Sequence, residues 1–167
     1  MKLLEWKLTR GKFRPRLLQY ANDAVVDAVA DASARSLELL RKSQGKTCSG
    51  EALWAALAPL LELKGVGPAT ASAVLSAAEP SIPVMSDEAL LAAMGSKEYS
   101  VAAAVRLTAT LQAKAEQLSS GVGGGGGGGG RQFSARDVER ALYAEAAAAK
   151  GAAAAKGAAA APKKRKR

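Results

Sequence analysis

The sequence predicts an all-α protein, and three observations lead to that prediction. Aromatic residues make up only 4% of the chain, and no segment alternates β-branched and polar residues as a half-buried strand does. Apolar residues recur instead at helical spacing, as at Val101, Val105 and Leu111. Alanine supplies much of the 49% hydrophobic content, which favours closely packed helices with small side chains. We therefore expect a compact domain of about seven or eight helices.

Low-complexity segments divide the 167 residues. Residues 1–120 are expected to form one helical domain, and residues 131–145 its final helix. Between them, residues 121–130 form a glycine-rich insertion, which we expect to be disordered because glycine buries no side chain and long loops cost little extra entropy. Residues 146–167 form a basic tail of alanine–lysine repeats, which we also expect to be disordered because it offers too little apolar surface for a core.

The N-terminal half is expected to begin with a short helix at residues 3–8, ended by Gly11 and Pro15. A longer helix, capped by Asn22 or Asp23, is expected to run to about Lys42. Its buried stripe is expected at Val26, Val29, Ser33, Leu37 and Leu40. Further along the chain, capping residues and apolar spacing predict helices at about 86–94, 100–119 and 134–143.

The segment from Leu57 to Leu90 organises the chain. An apolar helix ends at Lys64, two glycines flank one valine, and Pro68 opens a second apolar helix. Gly65 and Gly67 can take the positive φ values of a tight reversal. Proline is favoured in the first helical turn that follows. Free backbone N–H groups and the positive end of the helix dipole then create a site for a phosphate oxygen.

The run Leu-Lys-Gly-Val-Gly-Pro-Ala-Thr-Ala from residue 63, followed by Val74 and Leu75, resembles the helix-hairpin-helix motif of the base-excision DNA glycosylase superfamily, here at about residues 51–78. The resemblance implies that the hairpin binds one DNA strand through its backbone, without reading sequence. The DNA-contacting residues that it implies are Lys64, Gly65, Val66, Gly67, Ala69 and Thr70.

The resemblance also implies a catalytic aspartate about twenty residues after the second glycine, a position that Asp87 occupies when no gap is allowed. The alternative role of Asp87 is to cap its own helix. A second alignment, on Pro83 and Val84, places Met85 where the acid belongs. Ala69 stands where members that also cut the backbone have a Schiff-base lysine, so an enzyme of this kind would be a monofunctional N-glycosylase.

A basic segment near the start provides further candidate DNA contacts at Arg10, Lys12, Arg14 and Arg16. One interpretation is an arm that follows phosphates beside the hairpin, because each neutralised phosphate releases counterions. The other is a solvated loop in which Phe13 packs into the core and the arginines cap helix ends.

The basic charge of the chain, +9 at pH 7, lies mainly in its tail. Five consecutive cations follow Pro162 and closely resemble a monopartite nuclear import signal, namely Lys163, Lys164, Arg165, Lys166 and Arg167. A solubilising or nonspecifically DNA-binding tail is the alternative. The expected partners are therefore double-stranded DNA and a nuclear import receptor, and the expected location is the nucleus.

The composition excludes several kinds of chemistry. The single cysteine, Cys48, excludes an internal disulfide, a cysteine zinc site and a cysteine-ligated iron–sulfur cluster, and the absence of histidine excludes imidazole catalysis. We expect no metal and no cofactor. No apolar run is long enough for a bilayer, and the charges at Lys2, Glu5 and Lys7 do not fit a secretory signal, so we expect a soluble, intracellular monomer without a membrane partner.

Three functional hypotheses follow. The favoured one is a nuclear protein that binds DNA without sequence preference, with a role in DNA repair. The second is an active monofunctional DNA glycosylase that uses Asp87. The third is a non-catalytic protein-interaction module, in which the hairpin is only a structural elbow.

Overall fold

The structure is a computed structural model that describes residues 2–10, 14–43, 50–121 and 131–160. Within these ranges every regular element is an α-helix, which confirms the all-α prediction. The eight helices are α1 (Lys2–Thr9), α2 (Pro15–Asn22), α3 (Val26–Lys42), α4 (Gly50–Leu61), α5 (Pro68–Ala78), α6 (Asp87–Met94), α7 (Val101–Gly121) and α8 (Ala135–Ala160). Among the helices of the described ranges, none combines the length and the apolar character that crossing a membrane requires.

The core lies between α4, α5, α6 and α7, with α8 packed against α6 and α7. Its large members are leucines that are almost completely buried, such as Leu57, Leu75 and Leu90. Alanines with no exposed surface, including Ala56 and Ala103, separate them. Small side chains allow helices to approach closely, so the alanine-rich composition is used for packing, as the sequence predicted.

Two features of the N-terminal half differ from the prediction. The structure has a helix, α2, that begins at Pro15, where we expected only a break, since proline is well suited to the first position of a helix. The stripe predicted for α3 is wrong at its first turn, where Val26 is 80% exposed. Val29 is also exposed. Leu40 is buried as predicted, but the other buried residues of α3 are Ala32 and Ser36, and the helix packs mainly against α4.

The final helix is longer than expected. Helix α8 runs from Ala135 to Ala160 instead of ending near residue 145, because alanine and lysine have high helix propensity even where no core supports them. Lys150 forms an ion pair of 2.8 Å with Glu88 of α6, so the helix contacts the body well beyond its predicted end. The structure does not describe residues 122–130 of the predicted insertion. Its first residue, Gly121, is the last residue of α7.

Candidate functional site

The turn between α4 and α5, residues 62–67, contains two glycines with different roles. Gly65 has φ +81°, and a Cβ at this position would lie 2.6 Å from Cδ2 of Tyr20. Gly67 has φ −101° and ψ 177°, an extended conformation open to any residue, and a Cβ there would meet nothing within 4 Å. Of the two glycines that can take a positive φ, Gly65 does so and Gly67 does not.

Several backbone amides of this turn are free. The N–H of Val66 donates to the carbonyl of Leu63 at 3.0 Å, and the N–H groups of Thr70 and Ala71 both donate to the carbonyl of Gly67 at 2.9 Å. Within the part of the chain that the structure describes, the amides of Gly65, Gly67 and Ala69 have no hydrogen-bond acceptor. Gly67 precedes α5 and has no side chain to cap it. The start of α5 thus keeps the partial positive charge of unsatisfied N–H groups.

A cavity of about 680 Å³, which we call the turn cleft, adjoins these amides. It brings together most of the residues that the sequence singled out. The residues that line it include Lys7, Arg10, Arg14, Lys64, Gly65, Val66, Gly67, Ala69, Thr70, Asp87 and Tyr99. Arg16 does not line the cleft, and Lys12 and residues 163–167 lie outside the described residues.

The cleft carries an excess of uncompensated positive charge. Each of its three carboxylates, Glu62, Asp87 and Glu88, is paired with a cation that lies outside the lining. In contrast, the cationic groups of Lys7, Arg14 and Lys64 have no ion-pair partner among the described residues. Burial, followed by the nearby Arg14 guanidinium, lowers the pKa of Lys7 from its ordinary value, with Asp87 opposing the change. This is the effect expected for a cation close to another cation in a partly desolvated cleft.

Arg10 lines the cleft but is committed to another contact. Its Nη2 donates to Oε1 of Glu139 on α8 at 2.8 Å, and the Glu139 side chain has no exposed surface. The guanidinium carbon lies 3.8 Å from the ring centroid of Tyr143 and 4.9 Å from that of Trp6. Neither of the two interpretations of the basic segment included this ion pair, which anchors α1 to α8. No local pattern could reveal it, because its partners are 129 positions apart.

Asp87, the first residue of α6, does not cap its own helix. The capping acceptor is Oγ of Ser86, which receives the N–H of Ala89 at 3.3 Å. The Asp87 carboxylate instead accepts hydrogen bonds from Nζ of Lys97 at 2.9 Å and from Oη of Tyr99. Met85, the other candidate for the acid position, is 2% exposed and belongs to the core.

The environment of Asp87 favours its ionised form. Burial raises the pKa of this carboxyl, but the hydrogen bonds from Tyr99 and Lys97 outweigh it and lower the pKa below its ordinary value. Burial and the Asp87 carboxylate together raise the pKa of Tyr99 to about 12. An ionised carboxylate of low basicity is suited to stabilising positive charge and poorly suited to removing a proton at neutral pH.

We expect Asp87→Asn to weaken the acid-induced loss of stability. Because the folded-state pKa of Asp87 is lowered, its stabilisation is present above the ordinary pKa of an aspartate and is lost as the pH falls through the folded-state value. The difference in unfolding free energy between the protein and the variant should shrink from pH 6 to pH 3. The stabilisation lost in the variant should be below about 1 kcal/mol, because the pair of Asp87 and Lys97 is partly exposed.

Urea unfolding at several pH values measures this difference. The control is Asp27→Asn, at an exposed position of α3. A difference that does not change with pH would contradict the assigned hydrogen bonds.

The described ranges hold no group of three or more His, Cys, Asp or Glu side chains arranged to bind a metal ion. No protein-family model, curated protein or solved structure matches this chain.

Proposed function

We propose that the protein binds DNA without sequence preference and that α4, the turn and α5 act as a helix-hairpin-helix element related to those of base-excision DNA glycosylases. The observation that carries the proposal is the convergence in one cleft of the free amides at Gly65, Gly67 and Ala69 with the uncompensated cations Lys7, Arg14 and Lys64.

The chemistry of the cleft fits a phosphodiester strand. Backbone N–H groups at the start of α5 can donate to phosphate oxygens, and the cations around them add counterion release, which favours binding at low salt. Such contacts position a strand without distinguishing bases, because phosphate carries no sequence information. Double-stranded DNA is therefore the proposed partner, and residues Lys64–Thr70 are the proposed contact.

The proposed setting is the nucleus, in DNA repair. The basic run at residues 163–167 supplies the proposed contact with a nuclear import receptor. If the same run also binds DNA phosphates, it adds an affinity for DNA that does not depend on the turn cleft. Any test of the cleft must therefore keep the full chain and alter only the cleft.

We expect Gly67→Asp to weaken binding to duplex DNA about tenfold or more, because a hydrogen bond to a charged phosphate is replaced by repulsion. The extended conformation of Gly67 and the open space around it admit the side chain, and aspartate is a favourable N-cap, so α5 should be kept or stabilised. Fluorescence anisotropy against salt concentration measures the change. The slope of log affinity against log salt should fall by about 0.9 for each phosphate that the variant no longer binds.

Two variants complete the test. Gly67→Asn has nearly the same shape and capping ability without the charge, so we expect intermediate binding. Gly151→Asp makes the same change in net charge on α8, at a position that does not line the cleft, and should bind like the unaltered protein. Wild-type affinity of Gly67→Asp, or an equal loss in Gly151→Asp, would refute binding at the turn. DNA binding that depends only on residues 144–167 would favour the protein-interaction module.

A monofunctional DNA glycosylase is the second candidate, because the Asp87 carboxylate lines the same cleft as the turn. An ionised carboxylate at this place can stabilise the positive charge that develops on a sugar as its base departs. Asp87→Asn should then abolish base release from a panel of damaged duplexes while leaving affinity for duplex DNA nearly unchanged. Base release that survives this substitution would remove Asp87 from the catalytic role.

A further inference from the structure

A second cavity, of about 820 Å³, lies between α1, α5 and α8 and has a different chemistry. We call it the α8 cavity. Trp6, Arg10 and Val84 line both cavities, so α1 forms part of the wall between them. The polar and aromatic residues of its lining that matter here are Lys2, Trp6, Ser76, Arg136, Glu139, Arg140 and Tyr143.

The α8 cavity is electropositive. Four cations line it, namely Lys2, Arg10, Arg136 and Arg140, against the single carboxylate of Glu139. Arg10 neutralises that carboxylate, and within the described ranges no ion pair engages Lys2, Arg136 or Arg140. Nη1 of Arg136 donates to the carbonyl of Ser76 at 2.7 Å, which fixes its guanidinium in the wall while other N–H groups remain. This arrangement suits a phosphate, since guanidinium groups present several donors to its oxygens.

Two residues of the lining contain buried polar atoms without partners. Oε2 of Glu139 and Oγ of Ser76 are buried and make no hydrogen bond, and the two side chains are 0% and 1% exposed. Leaving such groups unsatisfied costs free energy. Because both atoms lie below the accessible surface, the contacts with a ligand must come from the cations and from Trp6. Trp6 is 44% exposed, and the guanidinium carbon of Arg10 lies 4.9 Å from its ring centroid.

We propose that the α8 cavity binds a single nucleotide. Lys2, Arg136 and Arg140 hold its phosphate, and Trp6 stacks on its base. The combination favours a nucleotide over a simple anion, because the cations account only for the phosphate, whereas the partly exposed indole ring of Trp6 offers a stacking surface for a planar base. A free nucleotide and the terminal nucleotide of a single strand share this chemistry. The proposal does not depend on duplex binding at the turn cleft.

Calorimetric titration of the full chain with three probes tests the proposal. AMP should bind at least about tenfold more tightly than ribose 5-phosphate, which lacks the base, because the base stacks on an aromatic side chain. Adenosine, which lacks the phosphate, should also bind at least about tenfold more weakly than AMP. Equal affinity for AMP and ribose 5-phosphate would overturn the nucleotide assignment, as would the absence of AMP binding. A short single-stranded oligonucleotide that displaces AMP would identify a strand end as the source, and its failure to do so would identify a free nucleotide.

Variants locate the site. Arg140→Ala and Lys2→Ala change exposed side chains, so the fold should be kept, and each should weaken AMP binding about tenfold. Trp6→Leu should weaken AMP binding while leaving the affinity for ribose 5-phosphate nearly unchanged. Lys114→Ala removes an exposed cation of α7 that lines neither cavity and is the control. Wild-type AMP affinity in both Arg140→Ala and Lys2→Ala would refute the site, and Gly67→Asp should leave AMP binding intact even if it abolishes duplex binding.

Discussion

Replacing Glu139 by alanine is expected to lower the free energy of unfolding by about 3–5 kcal/mol, the usual cost of breaking a buried ion pair by removing one partner. The Glu139 side chain is completely buried and that of its partner Arg10 is 12% exposed, so the remaining guanidinium would stay largely desolvated. Contacts with the rings of Trp6 and Tyr143 would offset only part of this cost. Chemical denaturation measures the loss.

The double variant Arg10→Met, Glu139→Leu provides the decisive comparison. Two apolar side chains of similar length leave no buried charge, and replacing a buried pair in this way is often neutral or stabilising. We therefore expect the double variant to be more stable than Glu139→Ala. Glu139→Gln, which keeps the shape and removes the charge, should be intermediate. A loss below about 1 kcal/mol for Glu139→Ala would show that the pair behaves as an exposed one.

Gly65→Ala is expected to destabilise the protein by about 2–5 kcal/mol, for two additive reasons. An L-residue at φ +81° costs roughly 1–2 kcal/mol. The new Cβ would also lie 2.6 Å from Cδ2 and 3.0 Å from Cβ of Tyr20, and overpacking of this kind costs about 1–3 kcal/mol. Because Tyr20 belongs to α2, relief of the contact requires α2 to move relative to the turn.

Two other glycines separate these causes. Gly95 has φ +70° with nothing within 4 Å of a Cβ, so Gly95→Ala should show the backbone cost alone. Gly67→Ala has neither problem and should be close to neutral. Adding Tyr20→Ala to Gly65→Ala should recover the part of the loss that the close approach causes. Equal stability of Gly65→Ala and Gly67→Ala would contradict the assigned turn geometry. Gly65 variants are expected to destabilise the fold. Of the two glycines in the turn, Gly67 is therefore the one whose substitution can report on phosphate binding.

The central helices were predictable because their signals are local. Leu53, Leu57 and Leu60 recur at helical spacing and are buried, and Gly65 and Pro68 mark the turn that separates α4 from α5. The face that α3 buries was not predictable in the same way. Tertiary packing selects it, because Ala32 and Ser36 are buried whereas the more hydrophobic Val26 is exposed.

The candidate site was predictable only in part. Sequence placed the turn and Asp87 together through a family resemblance, and both line the turn cleft. It did not show that Lys97 and Tyr99 engage Asp87, or that Glu139 engages Arg10. These interactions arise between segments that meet only in the folded chain, so hydrophobic spacing contains no information about them. The α8 cavity likewise forms between segments that are distant in the sequence and come together only in the folded chain.

The length of α8 also separates its C-terminal end from the body of the protein. Its last ion pair with the body, at Lys150, is followed by helix as far as Ala160, which corresponds to a rod of about 15 Å at the rise of an α-helix. A chain that continues from Ala160 therefore starts about 15 Å from the ion pair between Lys150 and Glu88.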